Sequence, residues 1–145
     1  MGETKEENLH KELDLIQAVT TRLGQNAFYV KGWSITLVAV VLALGDDDLR
    51  STAERPYLLG LILVVWLAFW YLDAYFLRLE RMYRKLYDYV IANKDDPNRL
   101  RYNLDATPYA AQTPTGWQLM LSVSLLVFYG IPALLLGGLL VYSLR

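Results

Sequence analysis

The sequence predicts an all-α membrane protein with three transmembrane helices. Of its 145 residues, 54% are hydrophobic, and the mean hydropathy is +0.21, which is high for a water-soluble domain of this size. The apolar residues fall in three blocks, and a helix needs roughly 20 of them to cross a hydrocarbon core about 30 Å thick. We predict spans at about 27–45, 56–78 and 117–143 within a single membrane domain of residues 1–145.

Composition also excludes several classes of site. The chain has no cysteine, which rules out disulfides, thiolate zinc sites and cysteine nucleophiles. His10 is its only histidine, so a multi-histidine metal site or a Ser-His-Asp triad would need unusual parts. The net charge of −1 gives no basic excess for nucleic acid, and no residues have the spacing of a catalytic motif. We expect no enzymatic activity, no metal, no cofactor and no nucleic-acid partner.

The N-terminal residues 1–25 predict an amphipathic helix. Its apolar positions are spaced by 4, 3, 4 and 3 residues, which places them on one face: Leu9, Leu13, Ile16, Thr20 and Leu23. We favour packing of this face against the bundle or the lipid headgroups over a seam for a partner or a second copy. Gly24, Gln25 and Asn26 are expected to loosen or bend the chain before the first span.

The first two spans are predicted to be antiparallel neighbours. Gly45 and the three aspartates 46–48 end the first span, and a connection of about ten residues leads to Pro56, which suits the first position of a helix. The second span, residues 57–77, continues without a helix breaker into an amphipathic helix that ends at about 92. Residues 93–115 are expected to be a loop that either contains a short helix around 97–103 or becomes ordered only on a partner.

The third span, residues 117–144, is longer than a bilayer requires, so we expect a tilt or a kink. Pro132, close to Gly130, is the expected kink site. Ala133 and Gly137 form a small-xxx-small pair of the kind that lets helix backbones approach closely.

The distribution of lysine and arginine predicts the orientation. Eleven of these residues lie in or beside the N-terminal segment and the 78–101 region, and three lie on the opposite side: Arg50, Arg55 and Arg145. Because lysine and arginine accumulate on the cytoplasmic side, we expect a bacterial inner-membrane protein with a cytoplasmic N-terminus, a cytoplasmic segment 79–115 and an external C-terminus.

Two charged residues fall within the predicted spans. Lys31 lies 13 residues from Leu44 at the outer end of its span, and Asp73 lies 16 residues from Tyr57. At 1.5 Å per residue these depths are about 20 and 24 Å, so antiparallel neighbours could pair the two side chains. We favour a structural ion pair; the alternatives are a polar lining for an ion path and, less favoured, a role in proton transfer.

Basic residues beside and beyond the second span are further candidates. Arg78, Arg81, Arg84 and Lys85 could fix the topology, which we favour, or attract anionic lipid. Arg99 and Arg101 could hold a phosphate-bearing ligand or a partner protein. The aromatic residues of the second span are assigned to interfacial belts and to packing.

Three segments resemble a family of small bacterial three-span (SLATT-like) inner-membrane proteins. They are NAFYVKGWSITLVAVVLAL, FWYLDAYFLRLERMYRKLYD and SLLVFYGIPALLLGGLLVY, and the likeness covers residues 8–142. The matching positions are Asn26, Phe28, Lys31, Trp33, Asp73, Tyr75, Arg78, Glu80, Arg81, Arg84 and Tyr87. Some members are encoded beside phage-defence genes, and the resemblance implies an oligomer that permeabilises the inner membrane on a signal.

These observations favour a non-enzymatic, self-associating inner-membrane protein, of the kind of a defence effector that forms an ion path or disrupts the membrane. The alternative is a membrane anchor or adaptor that recruits a soluble partner through residues 78–115. The expected partners are membrane lipids, further copies of the chain and, for the adaptor, a soluble protein.

Overall fold

The protein is all-α and has the fold of a membrane protein. The computed structural model describes residues 2–44 and 54–144. Three of its helical stretches are long and apolar enough to cross a membrane, which confirms the predicted fold class. We name the α-helices in chain order: α1 (Gly2–Leu44), α2 (Arg55–Ala92), α3 (Gly116–Met120), α4 (Val123–Leu125) and α5 (Ile131–Ser143). A 3-10 helix, Thr107–Gln112, precedes α3. A π-helix, Leu126–Gly130, joins α4 to α5.

α1 is one continuous helix of 43 residues, so the expected loosening at residues 24–26 is wrong. A glycine inside a helix costs about 1 kcal/mol relative to alanine. Here the loss is outweighed because α1 packs on α2 both before and after this point. The apolar face of the N-terminal segment lies against α2: Ile16 is fully buried in one core cluster with Met82 and Leu86. The prediction that this face packs on the bundle is therefore confirmed.

α2 is the central helix and divides the molecule into two halves. The charged half comprises residues 2–26, 78–92 and the connection 93–115, and its core is formed by Ile16, Met82, Leu86, Val90 and Ala106. The apolar half comprises residues 27–44, 54–77 and 116–144, and its core is formed by Trp66, Ala74, Leu119, Leu125 and Tyr129. α2 contributes to both cores and contacts α1 as well as α3, α4 and α5.

The outer surface of the apolar half is hydrophobic on every helix. Phe28 and Trp33 of α1, Leu61 of α2 and Leu134 of α5 all keep more than half of their surface uncovered. An apolar patch of this extent marks an interaction site or a membrane face. Together with the lengths of the three helices, it indicates a surface that lies in lipid.

The third span is interrupted, contrary to the prediction of one long helix with a kink at Pro132. α3 ends at Met120, and Ser122 has extended backbone angles of φ −63° and ψ 145°. A second irregularity, the π-helix, precedes Pro132. Proline has no N–H, and its ring crowds a preceding carbonyl, so a widened turn before Pro132 has an ordinary cause. The expected kink site is thus irregular, and the break at residues 121–122 is an additional one.

The connection 93–115 is held by the rest of the chain. Its residues 93–102 form turns, and its only helical element is Thr107–Gln112, so the short helix expected around 97–103 is wrong. Arg99 Nη1 and Nη2 donate to the two carboxylate oxygens of Glu12 at 2.7 and 2.8 Å, and the Tyr102 N–H donates to the same carboxylate at 2.9 Å. We call these three residues the clasp.

The residues expected to end the first span, 45–48, lie outside the described residues, and so do Arg50 and Arg145.

The clasp generates a prediction for Glu12→Gln. The Glu12 and Arg99 side chains are only 2% and 5% exposed. Removing one member of a buried pair leaves the other charge unpaired, at a cost of about 3–5 kcal/mol. We therefore expect faster amide hydrogen exchange throughout residues 93–106 in the variant, measured by mass spectrometry. Glu7→Gln, which breaks the exposed pair with Lys11, is the matched control.

The same clasp predicts a dependence on pH. Hydrogen bonds from Arg99 lower the pKa of Glu12 below its ordinary value. Because the pKa is depressed in the folded chain, this stabilisation is present above the ordinary glutamate value of about 4.3 and is lost as the pH falls through the lower folded value. Below that pH, amide hydrogen exchange of residues 93–106 in the native chain, corrected for intrinsic rates, should approach the exchange measured in Glu12→Gln. Equal protection of native chain and variant at neutral pH would contradict both expectations.

Candidate functional site

Lys31 and Asp73 form an ion pair between α1 and α2 in the apolar half. Lys31 Nζ lies 2.5 Å from Asp73 Oδ2, as the depth of the two residues along antiparallel helices led us to expect. The Asp73 side chain is 1% exposed, whereas that of Lys31 is 28% exposed. A carboxylate buried this deeply cannot remain charged without a nearby cation, because its desolvation costs several kcal/mol. Lys31 supplies that cation from the neighbouring helix.

Two further polar residues lie beside this pair. Ser34, which is fully buried, lies one helical turn after Lys31 and donates its hydroxyl to the Lys31 carbonyl at 2.8 Å. Tyr129 of the π-helix is also fully buried, and its hydroxyl faces Asp73 and Ser34. Among the described residues, no partner meets hydrogen-bond geometry with that hydroxyl. We call Lys31, Ser34, Asp73 and Tyr129 the polar cluster.

The polar cluster therefore draws on all three membrane helices and contains one hydroxyl without a hydrogen bond. A buried polar group left unpaired costs about 1–3 kcal/mol. The arrangement allows the Asp73 carboxylate to exchange its Lys31 partner for a hydroxyl. If Lys31 moved away, the Tyr129 hydroxyl, which faces Asp73, would be available to donate to its carboxylate.

Two tryptophans of α2 hold the irregular third span in place. Trp66 Nε1 donates to the Tyr129 carbonyl at 2.8 Å, and Trp70 Nε1 donates to the Met120 carbonyl at 3.1 Å. The two acceptors lie at the π-helix and at the end of α3, where regular helical hydrogen bonding is interrupted. In a lipid environment such carbonyls must find donors within the protein. The indoles also fix Tyr129 by stacking, with ring centroids 5.3 Å from Trp66 and 6.2 Å from Trp70.

Sequence reasoning missed this role because it assigned the aromatic residues to belts and packing. The available signal was the spacing of Trp66 and Trp70, four residues apart on one face of a membrane helix. A second signal was the pattern T-G-W-Q at residues 115–118, which forms a capping box at the start of α3. The spacing places both indole donors on one face of α2, and the capping box marks the start of α3, but neither signal predicts the break at residues 121–122.

The basic residues of α2 are not equivalent. Arg78 is partly buried and donates to the Ala110 carbonyl at 3.3 Å, so it helps to hold the connection 93–115. Arg84 forms an i,i+4 pair with Glu80 on the helix surface. Arg81 and Lys85 are exposed and remain accessible to anionic lipid.

The remaining residues predicted to make ligand or helix contacts also differ in their surroundings. Arg99 is taken up by the clasp, whereas Arg101 is exposed. Ala133 packs against the apolar core, but no atom of the described residues lies within 4 Å of the position that a Cβ on Gly137 would occupy. The small-xxx-small pair therefore does not form one contact surface with the helices that the structure describes. Pro132 lines an apolar groove of about 380 Å³ between α1 and α5, with Trp66 also in its lining.

Comparisons with known proteins do not identify a family. No family model, curated protein or solved structure matches the chain. Within residues 2–44 and 54–144, no cluster of three or more histidine, aspartate or glutamate side chains could hold a metal ion. The polar cluster is therefore the candidate site on which a function can be argued.

The indole hydrogen bonds predict the effect of Trp66→Phe. Phenylalanine keeps most of the apolar contact but leaves the Tyr129 carbonyl without its donor, a loss of about 1–3 kcal/mol. We expect a lower midpoint of thermal unfolding in detergent. Trp33→Phe is the control, because Trp33 is exposed on the outer surface of α1. An equal midpoint for the two variants would show that the indole bond contributes nothing measurable.

Proposed function

We propose that the protein is a non-enzymatic, self-associating protein of the bacterial inner membrane, which opens an ion path as a defence-type effector does. The observation that carries the proposal is the polar cluster, with its Lys31–Asp73 pair. Ionisable residues inside a membrane are costly, and where they occur they commonly mark ion pathways or proton relays. In this chain the pair is accompanied by the Tyr129 hydroxyl, which has no hydrogen bond among the described residues.

A path between copies agrees better with the geometry than a path through one copy. The groove between α1 and α5 and a second groove beside Leu67 and Gly130 are lined almost entirely by apolar side chains. An ion crossing the apolar half needs polar or hydrated surface. The outward face of α1 carries small side chains that favour close helix packing: Gly32, Thr36, Ala39 and Ala43 are all exposed. Self-association through α1 would bring the partly exposed Lys31 side chains of several copies near one another.

The orientation in this proposal rests on the lysine and arginine distribution. Ten such residues lie in the charged half, Lys31 lies just beyond it, and three lie on the opposite side. The positive-inside rule then places the charged half in the cytoplasm. A signal from the cytoplasm would reach the polar cluster through α1 and α2, because both helices run without interruption from the charged half into the apolar half.

The proposal predicts that expression of the native chain depolarises bacterial cells. A voltage-sensitive dye should report loss of membrane potential, and Asp73→Asn or Lys31→Met should prevent most of that loss. Each single variant removes one charge of the pair at membrane depth. Glu7→Gln, which removes the acid of an exposed ion pair in the charged half, should depolarise cells as the native chain does. The amount of each variant in the membrane fraction must be matched.

The double variant Lys31→Met, Asp73→Asn separates a conducting role from a structural one. It removes both charges, so neither is left buried and unpaired. If the charges take part in the ion path, the double variant is present in the membrane but does not depolarise cells. If it depolarises cells as fully as the native chain, the pair is only structural and the proposal fails.

A second function, recruitment of a soluble partner, is favoured by one observation in the charged half. Leu100 is 75% exposed although its neighbour Arg99 is fixed in the clasp. The clasp therefore presents this apolar side chain to solvent on an ordered segment, where a soluble partner would cover it.

For this second function, Leu100→Ser should release a soluble protein that co-purifies with the native chain from the native host, because it removes the apolar anchor. The membrane content and the protection of residues 93–106 should stay unchanged. Leu121→Ser, at an exposed position in the apolar half, is the control and should leave the partner bound. If no soluble protein co-purifies, or if Leu100→Ser does not release it, the adaptor function fails.

A further inference from the structure

A cavity of about 400 Å³ lies at the far end of the charged half. It is formed between the start of α1 and the turns that follow α2. Its lining includes five side chains that are or can become cationic, and three acids: Lys5, Glu6, His10, Glu12, Lys94, Asp95, Arg99 and Arg101, together with Leu9. None of these residues belongs to the polar cluster, so the cavity is separate from the candidate ion path.

Ion pairing within the cavity leaves an excess of positive charge. Glu12 is neutralised by Arg99 in the clasp, and Asp95 lies 3.1 Å from Lys5. Apart from these pairs, the lining provides Lys94, Arg101 and His10 against the single acid Glu6. The Lys5–Asp95 pair is well exposed, with side chains 49% and 76% accessible. Exposed pairs of this kind contribute little stability, so Lys5 can also turn toward a ligand.

The arrangement of these cations suits a phosphate group. Arginine donates two parallel hydrogen bonds to phosphate oxygens, and lysine adds a mobile point charge. The clasp fixes the segment that carries Arg101, because Tyr102 donates its N–H to Glu12 and its hydroxyl to Asn8. Tyr102 also has a φ of 58°, an uncommon conformation for a residue other than glycine, which the clasp maintains. Arg101 is thereby presented by a segment that is already ordered.

We propose that this cavity binds a small phosphate-bearing anion through Lys94, Arg101 and His10. The anion comes from solution and not from the lipid bilayer. Glu12 lies fifteen residues of continuous helix before Ala27, the predicted start of the first span, which is about 22 Å at 1.5 Å per residue. A lipid headgroup beside the membrane helices does not reach a cavity at that distance. A bound anion would tie the start of α1 to the turns after α2, and this proposal does not require the ion path.

The test uses the full chain in zwitterionic nanodiscs, with inorganic phosphate and pyrophosphate as probes in isothermal titration calorimetry. We expect saturable binding of pyrophosphate, tighter than that of phosphate because it carries more charge. The double variant Lys94→Gln, Arg101→Gln should weaken pyrophosphate binding about ten-fold or more, which corresponds to roughly 1.4 kcal/mol. The double variant Arg81→Gln, Lys85→Gln removes the same charge from an exposed face of α2 outside the cavity and should bind like the native chain.

Three outcomes would overturn the proposal. The first is the absence of saturable pyrophosphate binding to the native chain. The second is that both double variants weaken pyrophosphate binding equally, which would indicate a general attraction between charges. The third concerns the source of the phosphate. If nanodiscs that contain phosphatidylglycerol weaken pyrophosphate binding, lipid headgroups reach the cavity. Hydrogen exchange of residues 93–106 in each variant must match the native chain, so that a lost clasp is not mistaken for a lost ligand contact.

Discussion

Polar groups in a lipid environment have no water to pair with, and this constraint explains the face that α2 presents to its neighbours. Trp66, Trp70 and Asp73 are spaced by four and three residues, so they project from one side of the helix. Each reaches a different group: the carbonyl of Tyr129, the carbonyl of Met120 and the ammonium of Lys31. One face of one helix therefore satisfies the polar groups of two other membrane segments. Without these partners, neither the interrupted third span nor the buried carboxylate would be stable in lipid.

In the charged half, a buried ion pair is stabilised chiefly by hydrogen bonds. Glu12 and Arg99 are as well buried as Asp73, but they are surrounded by solvated helices and turns. The Glu12 carboxylate accepts three hydrogen bonds, two from Arg99 and one from the Tyr102 backbone. These bonds offset the cost of desolvation and order the turns after α2. In both halves α1 supplies one member of an ion pair, so separate contacts join it to α2 through Lys31 and to the connection through Glu12.

Local pattern was sufficient to predict the spans and the partner of Asp73. The apolar blocks have the length of a bilayer crossing, and the depths of Lys31 and Asp73 follow from a constant rise per residue in antiparallel helices. The clasp was not predictable in this way, because Glu12 and Arg99 are 87 residues apart and nothing local relates them. The break at residues 121–122 also escaped prediction. It is permitted by the Trp70 donor on another helix, a tertiary contact that outweighs local preference. The continuity of α1 through Gly24 has the same kind of cause.

The unequal exposure of the Lys31–Asp73 pair determines how the polar cluster can respond. Lys31 reaches the pair from a partly exposed position, whereas Asp73 is enclosed by α1, α2 and the π-helix. Lys31 is therefore the member that can leave, because its flexible stem can carry the ammonium toward a polar or hydrated surface. Its departure would leave a buried carboxylate beside the Tyr129 hydroxyl, which is a weaker partner than an ammonium ion. The paired state is then stable while α1 faces lipid, and contact with a polar surface on α1 would lower the cost of separating the pair. The pairing within the cluster and the surroundings of α1 are thus coupled through the Lys31 side chain.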